Sequence, residues 1–199
     1  MRRSYTIAFL ILVTALGGCD PYRFRNETKY PVECRIFSDH NSVSSNLYGF
    51  TMHPEATVQV TSVAWTQFEF RAYMTLSGGE GFSLMLRPVL EEGVIDPGLV
   101  LTFSTANGLS LDSAGHELLK NSAFHFPEDK QTFVTIYNEE SYIEVTIGCD
   151  TILKRFTKRK SSDDIGIHTL GGTELSVISP EWQKIKFRKE FELLEEQVR

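Results

Sequence analysis

The sequence predicts an all-β fold, an antiparallel β-sandwich. Three observations predict it. Apolar and polar residues alternate with period two along most of the chain. About a dozen such runs are short and are separated by turn-forming clusters of Gly, Asn, Asp and Pro. Helical spacing appears only at the end of the chain. A hydrophobic content of 41% with 12% aromatic residues fits a packed domain rather than a disordered one.

The elements follow in order. Early strands are expected at residues 32–37, 47–52 and 57–63. In Phe68-Glu69-Phe70-Arg71-Ala72-Tyr73-Met74 and in Phe82-Ser83-Leu84-Met85-Leu86-Arg87 the even positions are apolar. Ser77-Gly78-Gly79-Glu80-Gly81 lies between them, so the pair reads as a hairpin. Residues 88–98 read as a loop and 99–105 as a strand. Asn107-Gly108 is a tight-turn signal, after which Leu109-Ser110-Leu111 returns. Phe124-His125-Phe126 is a short strand stopped by Pro127. Residues 132–137 and 142–147 form the clearest hairpin. Strands follow at 151–156, 165–170 and 174–178. Near 182–189 a last strand is expected. A short helix over 190–199 continues it, carrying Phe191, Leu194 and Val198 at helical spacing among glutamates.

The start of the chain is of another kind. Met1-Arg2-Arg3 is basic, and the apolar centre from Ile7 to Val13 falls short of the 20 or so residues that span a bilayer. It fits a secretory signal. Leu16-Gly17-Gly18-Cys19 resembles the bacterial lipoprotein lipobox: a Leu, two small residues and the cysteine that is lipidated. The resemblance implies that residues 1–18 are removed and that Cys19 carries lipid. It implies a cell-envelope, lipid-anchored location, facing the periplasm or the surface, with the membrane as a partner. Two or three acyl chains anchor stably where one does not. Residues 19–65 then form an N-terminal β segment, either early sandwich strands or a small separate unit. Residues 66–189 form the sandwich.

Of the 199 residues, the first 18 carry two arginines and no acid, so their removal takes the formal charge from −6 to −8. An acidic chain has no long-range attraction for nucleic acid. Lipidation of Cys19 leaves Cys34 and Cys149. Both lie in alternating runs, with Val32 and Ile36 and with Val145 and Ile147, and parity turns both inward. They form either a disulfide or two buried thiols. A bridge would close a long loop, worth about 4–5 kcal/mol in the chain-entropy account.

Four stretches carry a second resemblance: "FEFRAYMTLSGGEGFSLMLRP", "GLVLTFSTANGLSL", "QTFVTIYNEESYIEVTIGCDTI" and "DDIGIHTLGG". Their order resembles the concanavalin A-like jelly roll of the lectin/glucanase and laminin-G superfamily. That superfold hosts binders, hydrolases and structural modules. The Glu-x-Asp-x-x-Glu motif of the glucanase branch is absent. Some relatives hold calcium, which makes Asp163-Asp164 a candidate contributor, with too few oxygen ligands nearby in sequence to complete a site. The histidines show no metal spacing.

The best ligand candidate is Tyr137, Glu140, Tyr142 and Glu144. Alternation sets Glu140, Tyr142 and Glu144 on the outward face of their strand, with Tyr137 across the turn, giving rings to stack on a sugar and carboxylates to accept hydrogen bonds from its hydroxyls. The alternative is a solvated strand face. Lys154, Arg155, Lys158, Arg159 and Lys160 form a basic run that suits an anionic polysaccharide or lipid headgroup, or is a solvated hairpin. The function expected is a non-catalytic glycan- or envelope-polymer-binding sandwich. The alternatives are a glycan-processing enzyme of the same superfold and a structural lipoprotein that binds envelope proteins.

Overall fold

The computed structural model describes residues 29–30, 33–38, 42–46, 48–61, 67–91, 94–157, 162 and 164–184. The first strands are β1 (Lys29–Tyr30), β2 (Glu33–Ile36), β3 (Val43–Asn46), β4 (Gly49–Met52) and β5 (Thr57–Thr61). Next come β6 (Phe68–Ser77), β7 (Gly81–Leu86) and a ribbon of β8 (Val89–Glu91) and β9 (Val94–Asp96). One meander follows as β10 (Leu99–Ser104), β11 (Gly108–Ser113) and β12 (His116–Asn121). A second is β13 (Thr132–Glu139), β14 (Tyr142–Ile147) and β15 (Asp150–Phe156). β16 (Asp164–Thr169) and β17 (Glu174–Lys184) close the fold.

The strands make two antiparallel sheets. The first runs β15-β14-β13-β6-β17-β4-β3, with β1 also paired to β17. The second runs β12-β11-β10-β7-β16-β5-β2. Short links fix how they stack. Residues 78–80 join β6 to β7, residues 170–173 join β16 to β17, and residues 53–56 join β4 to β5. Links this short do little more than cross the gap of about 10 Å between packed sheets. So β6 lies over β7, β17 over β16 and β4 over β5. The edges are then β15 with β12 on one side and β3 with β2 on the other. The result is the all-β antiparallel sandwich expected from the sequence. The expected helix at 190–199 lies outside the described residues.

Between the sheets, Phe68, Phe70, Ala72, Met74 and Leu76 of β6 meet Phe82, Leu84 and Leu86 of β7, and all are buried. Trp182 of β17 is fully buried, edge-on to Phe68 at 4.3 Å between ring centroids. The strands of residues 29–61 are outer strands of both sheets.

Several elements differ from expectation. β6 and β7 share parity but not a ladder, so the glycine-rich turn is an arch between sheets rather than a hairpin. Gly81 shows why: its φ is 117°, and a Cβ there would sit 1.8 Å from the Phe103 carbonyl oxygen. The expected strands at 174–178 and 182–189 are, as far as Lys184, one strand. A bulge between Ile178 and Glu181, with Ser179 at φ 50°, shifts the register by one residue and returns Trp182 to the core. The expected loop at 88–98 contains the ribbon β8–β9. Phe124 to Phe126 is not a strand. Phe126 packs edge-on against Phe82, with centroids 5.0 Å apart, and closes one end of the core. β3 and β12 were not expected. All six residues of β12 are exposed, so its strand character comes from the ladder to β11 and leaves no alternation to read.

Candidate functional site

The outer face of the first sheet carries the expected tyrosines. Gln183, Glu69, Tyr137, Glu144 and Lys154 follow one another in register across β17, β6, β13, β14 and β15. Beside them run Glu139, Tyr142 and Phe156. The Tyr137 and Tyr142 rings stand 6.0 Å apart, near perpendicular, and Tyr142 lies 5.2 Å from Phe156. Ile143, Val145 and Ile147 fill the core, as alternation requires.

The structure brings Tyr137, Tyr142 and Glu144 together but does not leave them open. Tyr137 is 5% exposed and Tyr142 2%. The Tyr137 hydroxyl donates to Glu139 Oε2 at 3.1 Å, and that of Tyr142 to Glu144 Oε2 at 2.5 Å. The rings present no stacking surface, and these two carboxylates already accept protein hydrogen bonds. Glu140 is apart, exposed in the two-residue turn of the hairpin. On the same face, Arg71 donates to Glu69 Oε2 at 3.0 Å, and both side chains are buried. β6 is thus buried on both faces over its first half.

The β13–β14 hairpin is held from within by Arg87, a residue the sequence reading passed over. Its φ is 58° and its side chain is 1% exposed. Nε donates to Asn138 Oδ1 at 2.8 Å, and the guanidinium donates to the carbonyls of Glu139, Glu140 and Tyr142. Asn138 in turn donates to the Ser162 carbonyl at 3.2 Å. The available signal was parity: Asn138 continues the inward series of Val134 and Ile136.

The outer face of the second sheet is different. Met85, Val100, Thr102, Ser110, Asp112 and His168 are all partly exposed there. The Ser83 and Thr102 hydroxyls share a hydrogen bond of 2.9 Å, as do the Thr57 hydroxyl and His168 Nδ1. Gly166, beside Met85, adds no side chain at all. Small hydroxylated residues flank a low apolar centre made by Met85 and Val100; on the same face Gln59 and Ser83 are buried, so the surface is exposed only in part.

The cysteines do not fall where parity set them. β14 ends at Ile147, and Gly148 at φ 61° starts the turn, so Cys149 is exposed rather than inward. Cys34 pairs with Val60 on β2, at the far edge of the second sheet. About five strand spacings of about 4.8 Å separate the two positions, on the order of 25 Å. A disulfide needs Cα atoms within about 7 Å. The strand order therefore does not support the expected Cys34–Cys149 bridge.

In the basic run, Lys154 stands opposite Glu144 and Arg155 opposite Ile143, while Lys158, Arg159 and Lys160 lie outside the described residues. So do Cys19 and Asp163. Among the described residues there is no cluster of His, Cys, Asp and Glu that could hold a metal ion, and no helix long and apolar enough to cross a membrane.

No family model matches the chain, and no curated protein matches it in sequence. Its fold is that of a jelly-roll β-sandwich, as in carbohydrate-binding modules and lectins. It is similar to the carbohydrate-binding module CBM66 from Bacillus subtilis, with TM-score 0.57 and 9% identity, over 76% of this chain and 95% of that one. It is similar to the exoplasmic/lumenal domain of VIP36 in its Ca2+/Man-bound form, with TM-score 0.55 and 13% identity, over 79% and 84%. It also resembles part of a mutant Trypanosoma rangeli sialidase displaying trans-sialidase activity, with TM-score 0.56 and 10% identity, over 80% of this chain and 28% of that one. At these identities the likeness is one of fold.

Proposed function

We propose that this protein is a lipid-anchored, non-catalytic glycan-binding sandwich of the bacterial cell envelope. The observation that carries the reading is the partly exposed, hydroxyl-lined patch of Thr102, Ser110 and Asp112 on the outer face of the second sheet. Sugar recognition needs acceptors and donors for hydroxyl groups beside a patch that receives the C–H face of the ring. Ser110, Asp112, Thr102 and His168 provide the first, and Met85 with Val100 provides the second. The fold neighbours named as a carbohydrate-binding module and as a mannose-bound domain support the same ligand class. The lipobox at Cys19 supports the anchor.

Hydrolysis is the second reading, because Asp112 and Glu117 stand directly opposite each other on β11 and β12. Paired carboxylates are what glycoside hydrolysis requires. This pair sits on an exposed edge hairpin, which favours binding over turnover.

The test uses protein extracted from membranes in detergent, screened against peptidoglycan fragments and soluble polysaccharides. Ser110→Ala with Asp112→Ala should weaken binding by about tenfold or more, corresponding to about 1.4 kcal/mol, with the melting temperature kept. No binding across the panel overturns the glycan reading. Release of reducing ends overturns the non-catalytic one. For the anchor, Cys19→Ser should move the protein from the membrane to the soluble fraction. An unmodified Cys19 in the intact mass would overturn lipidation.

A further inference from the structure

All six residues of the edge strand β12, His116-Glu117-Leu118-Leu119-Lys120-Asn121, are exposed, and the side chains of Leu118 and Leu119 stand in solvent with them. β12 ends the second sheet, and among the described residues β11 is its only ladder partner. The free side of such a strand presents backbone N–H and C=O groups, a template for one more strand.

The order of residues in β12 names the strand that fits. Two identical antiparallel strands that pair in one sheet are related by a two-fold axis normal to it. That axis keeps every residue on its own face, so residues set opposite each other must share a face. With the axis between Leu118 and Leu119, Glu117 of one copy lies opposite Lys120 of the other, and Leu118 lies opposite Leu119. In a regular strand Glu117 and Lys120 would point to opposite faces. β12 is not regular. Its ladder sets Lys120 opposite Ser110 and Glu117 opposite Asp112, and the register shifts between Leu111 and Asp112, which makes Leu118 the extra residue. Ser110 and Asp112 share the outer face of the second sheet, so Lys120 and Glu117 share it too. The bulge thus makes the strand complementary to an inverted copy of itself. Charges on an edge discourage association when each meets its own kind; here the axis sets each against its opposite.

We propose that β12 docks against β12 of a second copy of this chain, forming one continuous sheet with seven strands from each copy. The charges within one copy call for it. Asp112 and Glu117 are like charges directly opposite each other across the ladder. The ion pairs among the described residues are His53–Glu174 and Glu69–Arg71, so neither Glu117 nor Lys120 has one. Lys120 of the second copy brings a cation to the acidic pair. The normal axis also turns both outer faces the same way. The two β11 strands, each with its Ser110 and Asp112, then lie three spacings apart, about 14 Å at about 4.8 Å each. A glycan polymer can bridge both patches, a consequence that rests on the glycan reading, while the pairing does not. A single short edge falls well below the 1,200 Å² or so buried in a stable complex. The pair is therefore weak in solution and is favoured when two anchors share one membrane.

The experiment is carbodiimide cross-linking, which joins a carboxylate to an amine in contact with it. Full-length protein is returned from detergent to phospholipid vesicles. The wild type should give a covalent dimer containing a Glu117–Lys120 link. Glu117→Lys leaves only cations at the two positions, and Lys120→Glu leaves only carboxylates, so each variant alone should lose the dimer several-fold. An equal mixture of the two variants should regain it, through Lys120 of one copy and Glu117 of the other, a link that has to be intermolecular. One chain carrying both changes should regain it as well. A wild type without the link, a dimer undiminished in the single variants, or a mixture that stays monomeric overturns the pairing. If a single variant fails to fold, the chain carrying both changes decides. Flotation of the vesicles reads the anchor separately. Protein left in solution overturns the anchored reading, and the cross-link is then read in that solution after concentration.

Discussion

The two outer faces of this sandwich are built from the same alternation and end in opposite states. On the first sheet the outer face is buried around the large side chains Glu69, Arg71, Tyr137 and Tyr142, while Thr75, Thr135 and Thr146 on it are partly exposed. On the second, Met85, Val100, Thr102, Ser110 and His168 are partly exposed, while Gln59 and Ser83 are buried. Period two says which residues leave the core. It does not say whether they then meet water. The size of the outward side chains is a partial guide: the large rings beside the Glu69–Arg71 pair are buried, and so is the small Ser83 on the other face.

The comparison breaks most readily at Arg87, which organises the hairpin of the covered sheet. Arg87→Met leaves Asn138 Oδ1 and three turn carbonyls without their donor. At about 1–3 kcal/mol per orphaned buried group, partly relieved by water, chemical denaturation should show a loss of about 3 kcal/mol or more. A loss below about 1 kcal/mol would mean that the hairpin holds its shape without the arginine. On the covered face itself, Tyr142→Phe removes the donor to Glu144. It should cost about 1 kcal/mol and leave glycan binding unchanged. Reduced binding would return the ligand to this face.

On the second sheet's face the binding effects grow. In Gly166→Ala the new Cβ falls 2.8 Å from Met85 Cβ and Sδ; the sulfur can swing away, but the Cβ is fixed to the backbone, so the strands must shift. Stability should fall by about 1 kcal/mol or more, and glycan affinity should fall because the shallow centre is filled. An unchanged affinity would place the sugar elsewhere. The smallest perturbation is none at all: peptide mapping without reduction should yield no Cys34–Cys149 pair. Recovery of that pair would contradict the strand order.

Much of the fold was legible because burial between two sheets writes itself into the chain. The alternations at Phe68–Leu76, Phe82–Leu86 and Ile143–Ile147 each mark core-facing positions. Pairing partners were less legible. The glycine-rich arch carries the same turn residues as a hairpin, and only the contact of Gly81 with the Phe103 carbonyl distinguishes them. β12 was invisible because all of its residues are exposed. The candidate site was half legible. Tyr137, Tyr142 and Glu144 do share a face, but local periodicity does not register that Tyr137 and Tyr142 are buried there. The open face of the second sheet was overlooked because serine and threonine on a strand resemble ordinary solvent-facing residues.

The central claim is that the two faces divide the work, the first held under cover and the second open to a glycan. The most direct measurement is residue-level footprinting of the detergent-extracted protein with and without the best-binding polysaccharide from the screen. The account predicts new protection at Met85 and His168, with Tyr137 and Tyr142 equally protected in both samples. Protection that appears at Tyr137 and Tyr142 only when the polysaccharide is added, with Met85 and His168 unchanged, would contradict it.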